Sequence, residues 1–240
     1  MISSRAAYEL WHRQHEVDVE TDTPWHRLLK KYLVPDRDLR NKSVLEIGCG
    51  RGGFSYWLAG QPDRPKAIVA ADFAVTAVQK AESFAAENRL CRITWQVCDI
   101  QAIPHPDATF DTVISCETIE HVPRPRVAIR ELARVLKPGG RLFVTTPNYL
   151  GPFGLYRGYL RLMGRRFTEE GQPINNFLLL PRTRSWLRES GLCVRVVDAV
   201  GHYILLPGRP PREVSILNNP RTLMRWFGHH SLIIAEKLAA

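Results

Sequence analysis

No apolar run in the chain approaches the roughly 18 residues that a membrane-crossing helix needs. The opening residues, Met1-Ile-Ser-Ser-Arg5, lack the apolar core of a secretory signal and soon become charged. Cysteine is sparse, and the five present (Cys49, Cys91, Cys98, Cys116 and Cys193) include no C-x-x-C pair. That spacing excludes a zinc ribbon and a disulfide framework. Cys49, Cys98 and Cys116 fall in or beside apolar runs, where a thiol behaves as a small apolar group. Internal repeats and low-complexity segments are also missing. The expectation is a soluble, cytoplasmic protein with reduced thiols. Lysine is absent from one long stretch: Tyr149 to His230 hold twelve arginines and five acids, so most of the net charge of +9 lies there. Such a bias suits nucleic acid, an anionic small molecule, a membrane surface or merely a solvated face.

What is present points to one α/β domain. At 240 residues and 45% hydrophobic the chain can bury a single core but is short for two. Helical patterns cover about 3–17 and 25–34, with Pro24 well placed in the first turn of the second. Short apolar runs then alternate with helical stretches. The runs at 43–49, 67–72, 93–99, 110–116 and 141–146 read as strands, and 53–59, 75–88 and 126–136 as helices. Lys137-Pro-Gly-Gly140 reads as a turn. Gly, Pro and Asn punctuation from Pro147 to Leu180 breaks the alternation around a short basic helix at 156–163, which suggests an inserted lid. A helix at 182–190 and strands at 193–200 and 231–237 follow. Alternation of this kind predicts a mostly parallel, doubly wound sheet with helices on both faces and ligand at the strands' carboxyl ends. The chain divides into N-terminal helices (1–40), a core (41–147), the lid (148–180) and the rest of the sheet (181–240).

Glu46-Ile-Gly48-Cys49-Gly50-Arg51-Gly52 puts a glycine turn directly after the first strand, where backbone can approach a ligand closely. The third glycine comes two residues after the second, unlike the dinucleotide fingerprint. Glu46 would be unwelcome beside a pyrophosphate but suits the ammonium of an amino-acid-like ligand. Asp72 ends the second strand, where an acid can take both ribose hydroxyls or cap the next helix. Asp99 ends the third, where it could meet an adenine amine or cap a loop.

These segments resemble class I S-adenosylmethionine-dependent methyltransferases: Val44-Leu-Glu-Ile-Gly-Cys-Gly-Arg-Gly52, Val69-Ala-Ala-Asp72, Cys98-Asp-Ile100, Phe110-Asp-Thr-Val-Ile-Ser115 and Val135-Leu-Lys-Pro-Gly-Gly-Arg-Leu142. The resemblance implies a Rossmann-like, seven-stranded fold with the last strand antiparallel. It also implies S-adenosylmethionine as cofactor, with Gly48, Cys49 and Gly50 under its methionine end, Asp72 on ribose, and Asp99 with Ile100 at adenine. Phe73 either packs on the adenine or joins the core. Cys116 borders the place where the methyl group would point.

Cys116-Glu117-Thr118-Ile119-Glu120-His121-Val122 follows the fourth strand. Glu117, Glu120 and His121 could hold a divalent cation such as magnesium, or His121 could take a proton from an acceptor hydroxyl with Glu120 beside it. The plainer alternative leaves both acids solvated and His121 at a helix start. E-x-x-E-H resembles the ubiquinone-pathway O-methyltransferases and the small-RNA 2′-O-methyltransferases. The likeness to the quinone group continues through Thr145-Thr-Pro-Asn148, Asn176-Phe177 and Gly201-His202-Tyr203. Those families place a further histidine in the insertion. Here Gln172, Asn175 and Asn176 stand in that region, and His202 would have to substitute. In the lid, Arg157, Arg161 and Arg165 are spaced four apart beside Leu155, Tyr159, Leu162 and Met163. That face could meet an anionic membrane, or its apolar side could pack on the core. The leading expectation is O-methylation of a small, sugar-linked or lipid-linked acceptor, anionic or membrane-borne. An RNA methyltransferase and a non-catalytic cofactor-binding scaffold are the alternatives.

Overall fold

The computed structural model describes residues 4–14, 21–90, 92–165, 172, 174, 176–204 and 212–239. Its central sheet has seven strands: β1 Ser43–Ile47, β2 Ala67–Asp72, β3 Ile93–Val97, β4 Phe110–Cys116, β5 Leu136–Pro147, β6 Leu192–Val200 and β7 His230–Lys237. They lie in the order β3-β2-β1-β4-β5-β7-β6. β1 to β5 run parallel, and β7 is inserted antiparallel between β5 and β6.

Period-two alternation along the strands divides the core between the two faces. Leu45, Val113, Leu142, Val144, Ile233 and Ala235 point into one cluster with α5 (Pro125–Val135) and α7 (Leu180–Glu189). Val44, Ile114, Phe143, Leu232 and Ile234 point into the other, with α2 (Pro24–Tyr32) and α3 (Gly53–Ala59). Strand order reverses between β1 and β4, so their carboxyl ends open a crevice where α/β sheets bind ligands. Thr23 caps α2 by accepting from the His26 amide at 3.3 Å, with Pro24 behind it in the first turn.

Three features depart from the sequence reading. The Lys137–Gly140 turn lies inside β5, where pairing to β4 jumps from Phe110↔Leu136 to Thr112↔Arg141. A π-helical turn, Pro35–Leu39, was not expected, and it carries a buried ion pair. Arg141 Nη1 lies 2.6 Å from Asp38 Oδ2, and neither side chain is more than 9% exposed. The Val34 amide also donates to this carboxylate, at 2.7 Å.

The third departure is in the insertion. Its helix α6, Pro152–Leu162, buries Leu160 and half-buries Phe153 and Arg157. Leu155, Tyr159, Leu162 and Met163 are 80%, 56%, 88% and 60% exposed. The apolar side therefore faces solvent, and Arg157 turns inward instead, its guanidinium 4.6 Å from the Tyr149 ring. Two glycines of the insertion are demanded by close packing. A Cβ on Gly154 would sit 1.7 Å from the Tyr149 carbonyl oxygen, and one on Gly151 2.1 Å from that of Phe227. Gly171 lies outside the described residues.

Candidate active site

A cavity of about 560 Å³ opens at the β1/β4 switch point. Glu46, Gly48, Cys49, Gly50, Asp72, Phe73, Asp99, Ile100 and Cys116 all line it. The turn after β1 is held shut by backbone: the Gly48 and Cys49 amides both donate to the Ala71 carbonyl, at 2.8 and 3.0 Å. Gly48 has φ +78°, and a Cβ there would meet Thr118 Oγ1 at 2.0 Å, so glycine is needed on both counts.

The acids at the strand ends differ in their surroundings. Glu46 is buried and accepts from Ser55 Oγ. Burial raises its carboxyl to about 8, against the Ser55 hydrogen bond and with help from the Asp72 charge. Asp72 accepts from the Gly50 amide at 2.9 Å and from the Ala74 amide at 3.0 Å. It thus ties the glycine turn to Ala74, the residue that precedes α4 (Val75–Glu87), without capping that helix. Asp99 is exposed at the rim and accepts from the Gln101 amide at 2.8 Å. Burial pushes the thiols of Cys49 and Cys116 well above their usual range, which makes them poor nucleophiles.

On the other wall the chain after β4 turns sharply. Glu117 has φ +45°, an unfavourable conformation for a residue with a Cβ, fixed by its amide donating to the Thr145 carbonyl at 3.1 Å. Its carboxylate Oε2 lies 3.3 Å from His230 Nδ1. The 3₁₀ turn Ile119–His121 then sends Glu120 inward, where it accepts from Thr146 Oγ1 at 3.0 Å. His121 reaches the cavity wall with Nδ1 2.7 Å from the Ile174 carbonyl and Nε2 3.5 Å from Glu120 Oε1.

The sharp turn parts Glu117 from Glu120 and His121, the other two expected metal ligands. Glu117 faces His230, Glu120 faces Thr146 outside the cavity lining, and His121 meets Ile174. Among the described residues no three His, Cys, Asp or Glu side chains gather closely enough to hold an ion. The Glu117, Glu120 and His121 donor set does not fit a divalent cation. His202 cannot complete it, because its ring is buried between Asn218 Oδ1 at 2.7 Å and the Met224 carbonyl at 2.8 Å. Asn175, considered above, lies outside the described residues.

Several lining residues escaped the sequence reading. Tyr8, Trp11 and His12 of α1 (Ser4–Arg13), with Trp25 and His26 of α2, form the outer wall. Glu9 fastens α1 there by accepting from the amides of Val75 at 2.7 Å and Thr76 at 2.9 Å, capping α4 from a distant segment. Tyr8 meets Phe73 edge-on at 5.1 Å. Asn176 pins the insertion to the Glu120 turn by donating to the carbonyls of Glu120 and Val122, at 2.9 and 2.7 Å. One signal was available: the first two helices concentrate aromatic and histidine side chains but precede any strand they could serve.

A glycine turn at the switch of a 3-2-1-4-5-7-6 sheet, with acids closing three neighbouring strands, defines a class I S-adenosylmethionine-dependent methyltransferase. The comparisons with known proteins agree. A family model described as a methyltransferase domain matches residues 45–144. The chain is 33% identical over 180 residues to a ubiquinone biosynthesis O-methyltransferase from Coxiella burnetii, covering 72% of each chain. It is 30% identical over 165 residues to the 27-O-demethylrifamycin SV methyltransferase of Amycolatopsis mediterranei, covering 67% of this chain and 57% of that one. A solved S-adenosylmethionine-dependent methyltransferase from Aquifex aeolicus shares the fold, with TM-score 0.62, 16% identity and coverage of 99% and 100%. The chain belongs to this methyltransferase family and is an S-adenosylmethionine-dependent methyltransferase. No helix among the described residues is long and apolar enough to cross a membrane.

Proposed function

We propose that the protein transfers the methyl group to a hydroxyl oxygen of a small or lipid-linked acceptor. The observation that carries this reading is the His121 ring in the cavity wall, oriented by the Ile174 carbonyl and backed by the buried Glu120 carboxylate. S-adenosylmethionine, when bound, would supply the methyl group to the acceptor oxygen. That oxygen's proton passes to His121 Nε2, and Glu120 stabilises the imidazolium so formed. Holding the reacting atoms in line supplies much of the remaining acceleration. Relatives named for ubiquinone and rifamycin O-methylation support oxygen as the accepting atom.

The cofactor's ribose falls to Asp72, its adenine to Asp99, Ile100 and Phe73, and its methionine end to Gly48, Cys49, Gly50 and Cys116. Asp72→Ala is expected to weaken cofactor binding by about 1.5–3 kcal/mol, or about 10- to 150-fold, the range for hydrogen bonds to a charged group. Titration calorimetry checks it, and an unchanged affinity would move the ribose elsewhere.

Glu46 takes the cofactor's ammonium. Below pH about 8 its buried carboxyl carries a proton, which a cation must displace. Fewer protons in the complex than in the free protein means that affinity rises with pH, by up to about tenfold per unit, until pH reaches about 8. Calorimetry at pH 7 in two buffers of different ionisation enthalpy should show up to one proton released, and Glu46→Gln should abolish the release. No release in the parent protein would mean that Glu46 does not meet the ammonium.

The exposed apolar side of α6, with Arg161 and Arg165 beside it, suits an acceptor presented on an anionic bilayer, over which the insertion closes. A screen with labelled cofactor is expected to return hydroxylated acceptors with an apolar tail. Labelling confined to nitrogen acceptors or to RNA would overturn the reading.

A further inference from the structure

The arginines of the last third have few acids to meet. Among the described residues Glu189 is engaged with Arg126 at 2.6 Å, Asp198 with Lys31 at 3.1 Å and Glu213 with Asn218 at 3.0 Å, and Glu236 takes Arg195 at 2.9 Å and Arg37 at 2.9 Å. Glu169 and Glu170 lie outside the described residues. Arg184 and Arg188 stand one turn apart on α7, and the 3₁₀ turn Leu223–Trp226 brings Arg225 close enough for its charge to act on Arg184. The Arg184 guanidinium stacks over the Trp226 ring at 4.7 Å. The Nε atoms of Arg184 and Arg225 are buried, with no hydrogen-bond partner among the described residues. Burial, then the charges of Arg188 and Arg225, pulls the Arg184 guanidinium below its ordinary range.

Buried donors without acceptors and neighbouring cations without an anion both cost stability. A phosphate group answers the second, because its several oxygens accept from more than one guanidinium fork at a time. We propose that Arg184, Arg188 and Arg225, with Trp226, form a phosphate-binding site separate from the methyl-transfer cavity. None of the four lines that cavity. The Trp226 carbonyl accepts from Asn148 Nδ2 at 2.7 Å, and the Asn148 side chain also accepts from the amides of Leu150 and Leu180. A bound phosphate therefore braces the root of the insertion, which supplies Gln172 and Ile174 to the cavity lining. The phosphate arrives either free, as phosphate or pyrophosphate, or as a phospholipid headgroup. The site does not depend on which acceptor is methylated.

Thermal unfolding of the full chain at low ionic strength tests it. Inorganic pyrophosphate at a hundred times its Kd is expected to raise Tm by roughly 5–10 °C, and sodium chloride at equal ionic strength by much less. Arg188→Gln, at an exposed position, should raise Tm in the absence of anion by relieving repulsion and should shrink the pyrophosphate increment. Arg184→Gln should do the second even if losing the Trp226 stack cancels the first. Cosedimentation with phosphatidylcholine vesicles, with and without phosphatidylglycerol, separates the sources: binding to the anionic vesicles that Arg188→Gln weakens identifies a headgroup, and a pyrophosphate shift without it identifies a free phosphate. A pyrophosphate shift unchanged in both variants overturns the proposal. So does the absence of any shift together with no Arg188-dependent vesicle binding.

Discussion

Replacing His121 by glutamine is expected to lower kcat by about 10²- to 10⁴-fold, the range for losing a general base, while cofactor affinity stays unchanged. Glutamine can still donate to the Ile174 carbonyl, now 2.7 Å from His121 Nδ1, so the wall of the cavity persists. What it lacks is a basic lone pair where Nε2 now stands. Glu120→Gln sharpens the test. Its amide can keep the bond from Thr146 Oγ1, yet the charge beside the imidazolium is gone. That variant should lose kcat with little change in KM, and by less than the His121 variant. Single-turnover kinetics with labelled cofactor, beside calorimetric Kd values, separates the two quantities. Equal losses in turnover and cofactor affinity would make His121 a structural residue and remove the proton step from the mechanism.

The part of this site that the sequence discloses is the part built from neighbours in the chain. Glu46 through Gly52 is one strand end and one turn, and Asp72 and Asp99 each end a run whose apolar character marks it as buried. Their convergence follows from parallel pairing alone. Contacts between distant segments leave no such trace. Glu9 reaches the amides of Val75 and Thr76, and His230 reaches Glu117, across stretches that no local periodicity connects. The metal reading failed for a related reason. E-x-x-E-H places three donors within one turn of chain, but the positive φ of Glu117 turns it towards His230, away from Glu120 and His121, which stay together. The α6 helix shows a different limit of pattern reading. Spacing identifies two faces, and the usual rule buries the apolar one. Here the aromatic rings of Tyr149 and Phe177 receive Arg157, at 4.6 and 5.3 Å. A cation over aromatic faces can lie inward while leucines stay outside.

The largest loss of stability is expected from Asp38→Ala. The Asp38 carboxylate is fully buried, and it accepts twice from Arg141 Nη1, at 2.8 and 2.6 Å, and once from the Val34 amide. Removing it leaves a guanidinium that is only 9% exposed without its counter-ion. Breaking one side of a buried pair costs about 3–5 kcal/mol, and the lost amide acceptor adds to that. For a chain of this size each kcal/mol moves Tm by about 2–4 °C, so a fall of about 6–20 °C is expected in a thermal melt. A well-packed apolar substitute for the pair should fare better, because a buried ion pair recovers little more than its own desolvation. The double change Asp38→Ala with Arg141→Met should therefore recover much of the lost Tm. The pair sits at the Thr112↔Arg141 register, just past the irregularity in β4–β5 pairing and at the opposite end of β4 from the carboxyl end that lines the cavity. Cofactor affinity measured well below the melting range should accordingly match that of the parent chain. A fall of under about 2 °C for Asp38→Ala would show that water reaches Arg141, and a loss of cofactor affinity in the folded variant would show that the two ends of the sheet are coupled.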